Sequence, residues 1–202
     1  MKKTLLLTIL LTLGFSVFAA DDEAGAAAES SAANAKYSAV IDLRASKIAQ
    51  NLGLSDTNTL ARVHDIIMDQ YRALNDWHNT NDPKLKAARH DAAATASIRA
   101  SLKSLHEAYL SNLAGYLSPD QIEKVKDAMT YGKVQFTFNG YCSQYSNLAE
   151  TNRQAILRML KDAREEAMDA GSAKDKTAVF QRYKGRINNY LSKQGIVPDK
   201  QK

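Results

Sequence analysis

What most constrains this chain is a helical apolar period that begins near Lys36 and meets almost no competing strand signal. Tyr37, Val40, Ile41, Ala45, Ile48 and Leu52 recur at helical spacing, and Gly53 follows where a C-terminal cap is wanted. Ser55 or Asp56 can cap a second helix, whose Leu60, Val63, Ile67, Leu74 and Trp77 share one side. Asn79-Thr80-Asn81-Asp82-Pro83 reads as a break, with Asp82 as N-cap and Pro83 at the first position of the next helix. From Lys84 to Ala114 no Gly or Pro intervenes, so the third helix is expected to be the long central one. Ser118-Pro119 starts a fourth helix through Ile122, Val125 and Met129. Val134, Phe136 and Phe138 then alternate with polar residues as a strand would, but a lone strand has no partner here. Residues 132–147 are therefore read as irregular or loosely helical. A fifth helix follows Leu148-Ala149-Glu150-Thr151, turns Ile156, Leu160, Ala163, Ala167 and Ala170 inward, and ends at Gly171. A last helix runs from about Lys174 to Lys193 and is closed by Gly195 and Pro198. The expected fold is an all-α bundle of about six helices in one domain, 36–202, ending in a helical hairpin hinged at Gly171-Ser172.

The first twenty residues stand outside that pattern. Lys2 and Lys3 precede an apolar run from Leu5 to Leu13 and then Val17-Phe18-Ala19-Ala20, the layout of a cleavable signal peptide. The run is short for a membrane span, and no cysteine follows it to take a lipid. Residues 21–35, DDEAGAAAESSAANA, read as a disordered leader. The mature protein is thus expected in a periplasm or outside the cell, with no stable membrane anchor after cleavage. Cys142 is the only cysteine, so no intramolecular disulfide can form and stability must come from core burial. Setting aside Lys2 and Lys3 takes the net charge from +5 to +3, and setting aside the four acids of 21–35 raises the remainder to +7. A basic surface of this kind attracts anions such as acidic sugars or phosphates, while nucleic acid is not an expected partner of an exported chain.

No HExxH, GxSxG, Walker loop or paired CxxC occurs, so no catalytic residue, metal site or cofactor is assigned. His64, His78, His90 and His106 sit singly, none with a second histidine three or four residues away. Asp162 with Glu166, and Glu165 with Asp169, are i,i+4 carboxylate pairs that could hold a hard cation or act as acid and base. Arg158 and Lys161 interleave with them as an ordinary ion lattice. Arg164 differs: it borders the apolar stripe and is expected to be partly buried and paired. In the last helix Tyr183, Arg186 and Tyr190 share a face beside Asn188 and Asn189. Rings next to guanidinium and amide groups are suited to sugar, whose C–H faces stack and whose hydroxyls accept and donate hydrogen bonds. The candidate ligand site is Arg164, Glu165, Asp169, Tyr183, Arg186, Asn189 and Tyr190, with Arg164 or Glu165 expected beside Tyr183 or Arg186 across the hairpin.

Arg164-Glu165-Glu166-Ala167-Met168-Asp169-Ala170-Gly171-Ser172, Phe180, and Tyr183-Lys184-Gly185-Arg186-Ile187-Asn188-Asn189-Tyr190-Leu191 resemble the C-terminal signature of the domain-of-unknown-function family DUF3826. Arg44–Ile48, Gln70–Asn75 and Met129–Val134 agree more weakly, and Ala149 departs from the Ser or Thr expected as a helix cap. The resemblance implies an exported Gram-negative bacterial protein associated with sugar binding and polysaccharide utilisation, pectic systems among them, and no established catalytic residue. An oligosaccharide, acidic or neutral, is therefore the expected partner, and no oligomeric state is implied. Two other classes fit the same residues. One is a helical periplasmic chaperone or envelope-stress protein, suggested by the Leu117-Ser118-Pro119-Asp120-Gln121 helix start. The other is a hydrolase or lyase in which Glu165 or Asp169 serves as acid or base and Arg164 or Arg186 holds a uronate.

Overall fold

The computed structural model describes residues 18–199, with side chains from residue 31 onward. Among the described residues it consists of helices without strands. They are α1 Phe18–Gln50, α2 Thr57–Ala87, α3 Ala92–Ala114, α4 Pro119–Met129, α5 Lys133–Gln144, α6 Glu150–Met168 and α7 Ala173–Lys193. The expected signal segment, 1–20, lies outside the described residues apart from the backbone of its last three positions. Helix α1 runs back through 21–35, the stretch read as a disordered leader; its many alanines favour helix, and none of residues 31–36 is buried. No described helix is long and apolar enough to cross a membrane. The chain divides into two compact units after Val40, and the described core belongs to the second, Ile41–Lys202.

Local chemistry accounts for most helix ends. Asp56 caps α2 by accepting from the N–H groups of Asn58 and Thr59. Ser118 and Gln121 form a reciprocal capping box at α4, with Pro119 at the first turn. Ser172 caps α7 through the Asp175 N–H. Ala149 does occupy the N-cap of α6, and no side chain caps that end. The α7 terminus is a Schellman turn: Ile196 N–H donates to Leu191 O at 3.0 Å around Gly195, which has φ 68°. The α4 terminus repeats it, with Gly132 N–H donating to Asp127 O at 2.8 Å and Tyr131 N–H to Ala128 O at 3.1 Å. Here the pivotal left-handed residue is Tyr131, at φ 60°, where glycine is usual.

Two expectations need correction. The chain does not break at Asn79–Pro83: α2 continues through Pro83 to Ala87, and it is α2, with 31 residues, that is the long helix of this region. Proline deprives the Asn79 carbonyl of its partner, but Asn79 is exposed and water can replace the bond. The i,i+4 pair His78–Asp82 and the Asn81 side-chain bond to the Trp77 carbonyl hold the same turn. The break falls instead within the alanine-rich run expected to be continuous. Asp91 caps α3 by accepting from Ala94 N–H at 2.9 Å, and Thr95 Oγ1 donates to the Ala88 carbonyl. Chain reversal here packs α3 antiparallel on α2: Trp77 Nε1 donates to Ser101 Oγ at 2.8 Å, and Arg62 lies over the Tyr116 ring. The second correction is that residues 133–144, read as irregular or loosely helical, form the regular helix α5.

Helix α6 is the centre, packed against α4, α5 and α7. Its Ile156, Leu160, Ala163 and Ala167 are wholly buried, and the two alanines leave room for close approach. Phe180, Ile187 and Leu191 of α7 join Val134, Tyr141 and Tyr145 in the same cluster. Each large aliphatic side chain buried this way contributes roughly 1.5–3 kcal/mol. Gly171 locks the α6–α7 turn to α2: a Cβ there would lie 2.9 Å from His78 Cγ, so only glycine lets the ring pass under it. His78 Nε2–H then donates to the Asp169 carbonyl at 2.7 Å.

Candidate functional site

The seven residues expected to form one site are not brought together. Arg164 is buried, as its place beside the apolar stripe suggests, and its guanidinium donates to Asp127 at 2.7 Å, to Glu123 at 2.8 Å and to Glu165 at 3.1 Å. Glu165 also meets Lys126 of α4 at 3.0 Å and His106 of α3 at 3.6 Å. Asp169 accepts from His106 Nδ1 at 3.0 Å. All three therefore face α3 and α4. The other four sit on α7. Tyr183 and Tyr190 are half-buried against the cluster formed with α5 and α6, and Tyr190 Oη–H donates to Asn152 Oδ1 at 2.8 Å. Arg186 stacks 4.4 Å from the Tyr183 ring centre, and Asn189 is exposed. The α6–α7 hairpin is bridged by Arg182 and Glu166 instead. At about 100° per residue Glu166 leaves α6 about 200° round from Arg164, and among the described residues no hydrogen bond or ion pair joins Arg164, Glu165 or Asp169 to Tyr183, Arg186, Asn189 or Tyr190.

What Arg164 organises is an ion network that ties three helices together. Burial disfavours the guanidinium charge, but bonds to Asp127 and Glu123 outweigh it and raise the pKa. Burial likewise tends to raise Glu165, yet the bonds from His106, Lys126 and Arg164 pull it down to about 2. His106 is pushed up to about 9, first by the hydrogen bond to Asp169 and then by that to Glu165. It is an imidazolium at neutral pH. A carboxylate held ionised among three cations is a poor proton donor, so Glu165 is poorly suited to the general-acid role considered from sequence. No group of three or more His, Cys, Asp or Glu side chains among the described residues could hold a metal. The arrangement clamps α6 to α3 and α4; its partners were not legible from α6 alone.

A groove between α5 and α7, about 510 Å³ in volume, has the chemistry that sequence reasoning sought elsewhere. Phe136 stands at its rim with 81 % of its surface exposed. Thr137, Asn139, Ser143 and Gln144 of α5 and Lys184 and Asn188 of α7 supply hydroxyl, amide and ammonium groups. Buried Tyr141 donates from Oη to Asn188 Oδ1 at 2.8 Å, which leaves the Asn188 amide N–H groups to be donated outward. Gln135 holds Asn139 Oδ1 at 2.7 Å in the same way. The Val134/Phe136/Phe138 alternation carried a signal for this groove. Wound on a helix, the middle residue of such a triplet points away from the other two, so Val134 and Phe138 pack inward and Phe136 is left in solvent.

No curated protein matches the chain. The model of the family described as "Protein of unknown function (DUF3826)" matches residues 38–202, which spans every helix that builds the core, the Arg164 network and the α5–α7 groove, and the chain belongs to that family.

Proposed function

We propose that this chain is an exported accessory protein that binds an oligosaccharide, with the sugar lying in the α5–α7 groove. The observation that carries the reading is the Phe136 ring, held in solvent on a rigid helix and bordered by amides whose orientation is set by other side chains. An exposed ring offers an apolar face to the axial C–H groups of a pyranose, and pre-oriented amides meet its hydroxyls at little entropic cost. Lys184 on the opposite wall suits an acidic residue such as a uronate. None of the seven residues expected from sequence lines this groove; Arg186, midway between Lys184 and Asn188 on α7, points away from it. Export follows from the expected signal segment.

Isothermal calorimetry against pectic and neutral oligosaccharides tests this. Binding by the intact protein should weaken by at least roughly fivefold in Phe136→Ala, because stacking of a ring on a ligand is worth about 1–3 kcal/mol. The substitution removes an exposed ring and should leave the melting temperature unchanged. No heat with any glycan, or unchanged affinity in Phe136→Ala, refutes the reading.

A further inference from the structure

A second pocket, of about 350 Å³, opens between α1, α2 and the α4–α5 turn. Its walls are apolar: Ile48, the Tyr71 ring and the Tyr131 ring. Its charge is one-sided. Arg44 and Lys47 border it from α1, with Asn51 one turn further along, all within an i, i+3, i+7 face. Neither cation belongs to an ion pair among the described residues, whereas Lys126, Lys161 and Arg164 are each engaged by carboxylates. A third cation stands close by. Lys176 is buried, its Nζ donating to the Met129 and Met168 carbonyls, and the Arg44 charge is felt there.

Tyr131 adds an independent observation. It occupies the left-handed position of the α4 Schellman turn, where a glycine would carry no steric penalty, while its ring lines the pocket at 51 % exposure. An exposed ring that strains the backbone contributes little to the core. Such strain persists where the side chain has other work. The three segments that meet here, around Arg44, Tyr71 and Tyr131, are also the three that agree more weakly with the family in the sequence.

We infer that this pocket binds a small organic carboxylate, its apolar ring or chain seated between Tyr71 and Tyr131 and its carboxylate paired with Arg44 and Lys47. The volume lies at the small end of the range for ligand sites, about 300–1,000 Å³. Apolar walls disfavour a hydrated sugar and favour a body without hydroxyls, so this ligand class differs from that of the α5–α7 groove. The two sites are independent.

Benzoate and cyclohexanecarboxylate serve as probes in calorimetry on the full domain, with benzamide as the uncharged isostere and inorganic phosphate as the bare anion. Both carboxylates should bind, and benzamide should bind at least roughly tenfold more weakly, since a hydrogen bond to a charged group is worth about 1.5–3 kcal/mol. The Arg44→Gln/Lys47→Gln pair should reduce carboxylate affinity by a similar factor. Tyr131→Gly should weaken binding without lowering the melting temperature, because it relieves the left-handed strain. Phe136→Ala should leave carboxylate binding unchanged, which separates this outcome from that of the glycan test. Absence of binding by both carboxylates up to about 10 mM, a regime weaker than any useful site, overturns the inference. So does benzamide or phosphate binding as tightly as benzoate, or full affinity in the Arg44→Gln/Lys47→Gln protein.

Discussion

Replacing His106 by glutamine should produce a loss of stability that depends on pH in a defined direction. The imidazole is 15 % exposed and lies between Asp169, also 15 % exposed, and Glu165, 34 % exposed. Lys126 reaches Glu165 from α4, and Arg99 and Lys103 line the same surface from α3. The carboxylates prevail, raising His106 from 6.5 to about 9. At about 1.4 kcal/mol per pH unit this rise corresponds to about 3 kcal/mol of preference for the folded imidazolium. Solvent reaches Glu165, so screening reduces the usable contribution to about 2 kcal/mol. A folded pKa above the unfolded one means the contribution is full below about pH 6.5 and is lost as pH rises through about 9. Urea denaturation of the native protein and His106→Gln at pH 6 and pH 10 measures it. The stability difference should be about 2 kcal/mol larger at the lower pH. Lys176 titrates in the same window with the opposite sign, but it is present in both proteins and largely cancels in the difference. A difference that stays constant with pH, or grows as pH rises, would refute the reasoning that the network holds His106 charged.

Three further outcomes can be measured independently. Lys176 is buried, and desolvation lowers its pKa from 10.5 to about 8, so the folded state sheds its proton before the unfolded state does. The stability of the native protein relative to Lys176→Met should therefore rise by up to about 3 kcal/mol between pH 8 and 10.5 when both are unfolded chemically across that range, the His106 loss being common to the two. Ala149→Ser supplies the missing cap of α6, whose backbone already has the extended conformation of an N-cap, and should raise stability by about 1 kcal/mol. Gly171→Ala drives a Cβ into the His78 ring, which the Asp169 carbonyl and Asp82 hold in place, and should cost about 1–3 kcal/mol. The His78 imidazole resonances should shift with it; an unshifted ring and unchanged melting point would show that the turn has room to move.

Residues such as Asp56, Ser118, Pro119, Gly53 and Gly195 made the helix ends readable, because caps act within one turn of the chain. Asp91 was equally readable in principle. The alanine-rich run around it carries no other break signal, and the reversal there depends on α3 gaining a partner in α2. Pro83 misled for the complementary reason: its unpaired carbonyl partner faces water, so tertiary contacts could carry the helix past it. The burial of Arg164 was foreseen from its neighbours on α6, but Glu123 and Asp127, the carboxylates that justify burying a guanidinium, lie on a helix some forty positions earlier.

The same distinction governs the functional surfaces. Helical period, caps and turn glycines are local properties, and they were enough to establish an all-α chain with a C-terminal hairpin. The direction in which a helix face points is a rotation about its own axis, and only packing against other helices sets it. Tyr183 and Arg186 share a face in the sequence, yet the seating of α7 on α6 keeps them away from Arg164 and Glu165. Phe136 and Asn188, or Arg44, Tyr71 and Tyr131, share nothing in the sequence and become neighbours only when α5 meets α7 and α1 meets α2 and α4.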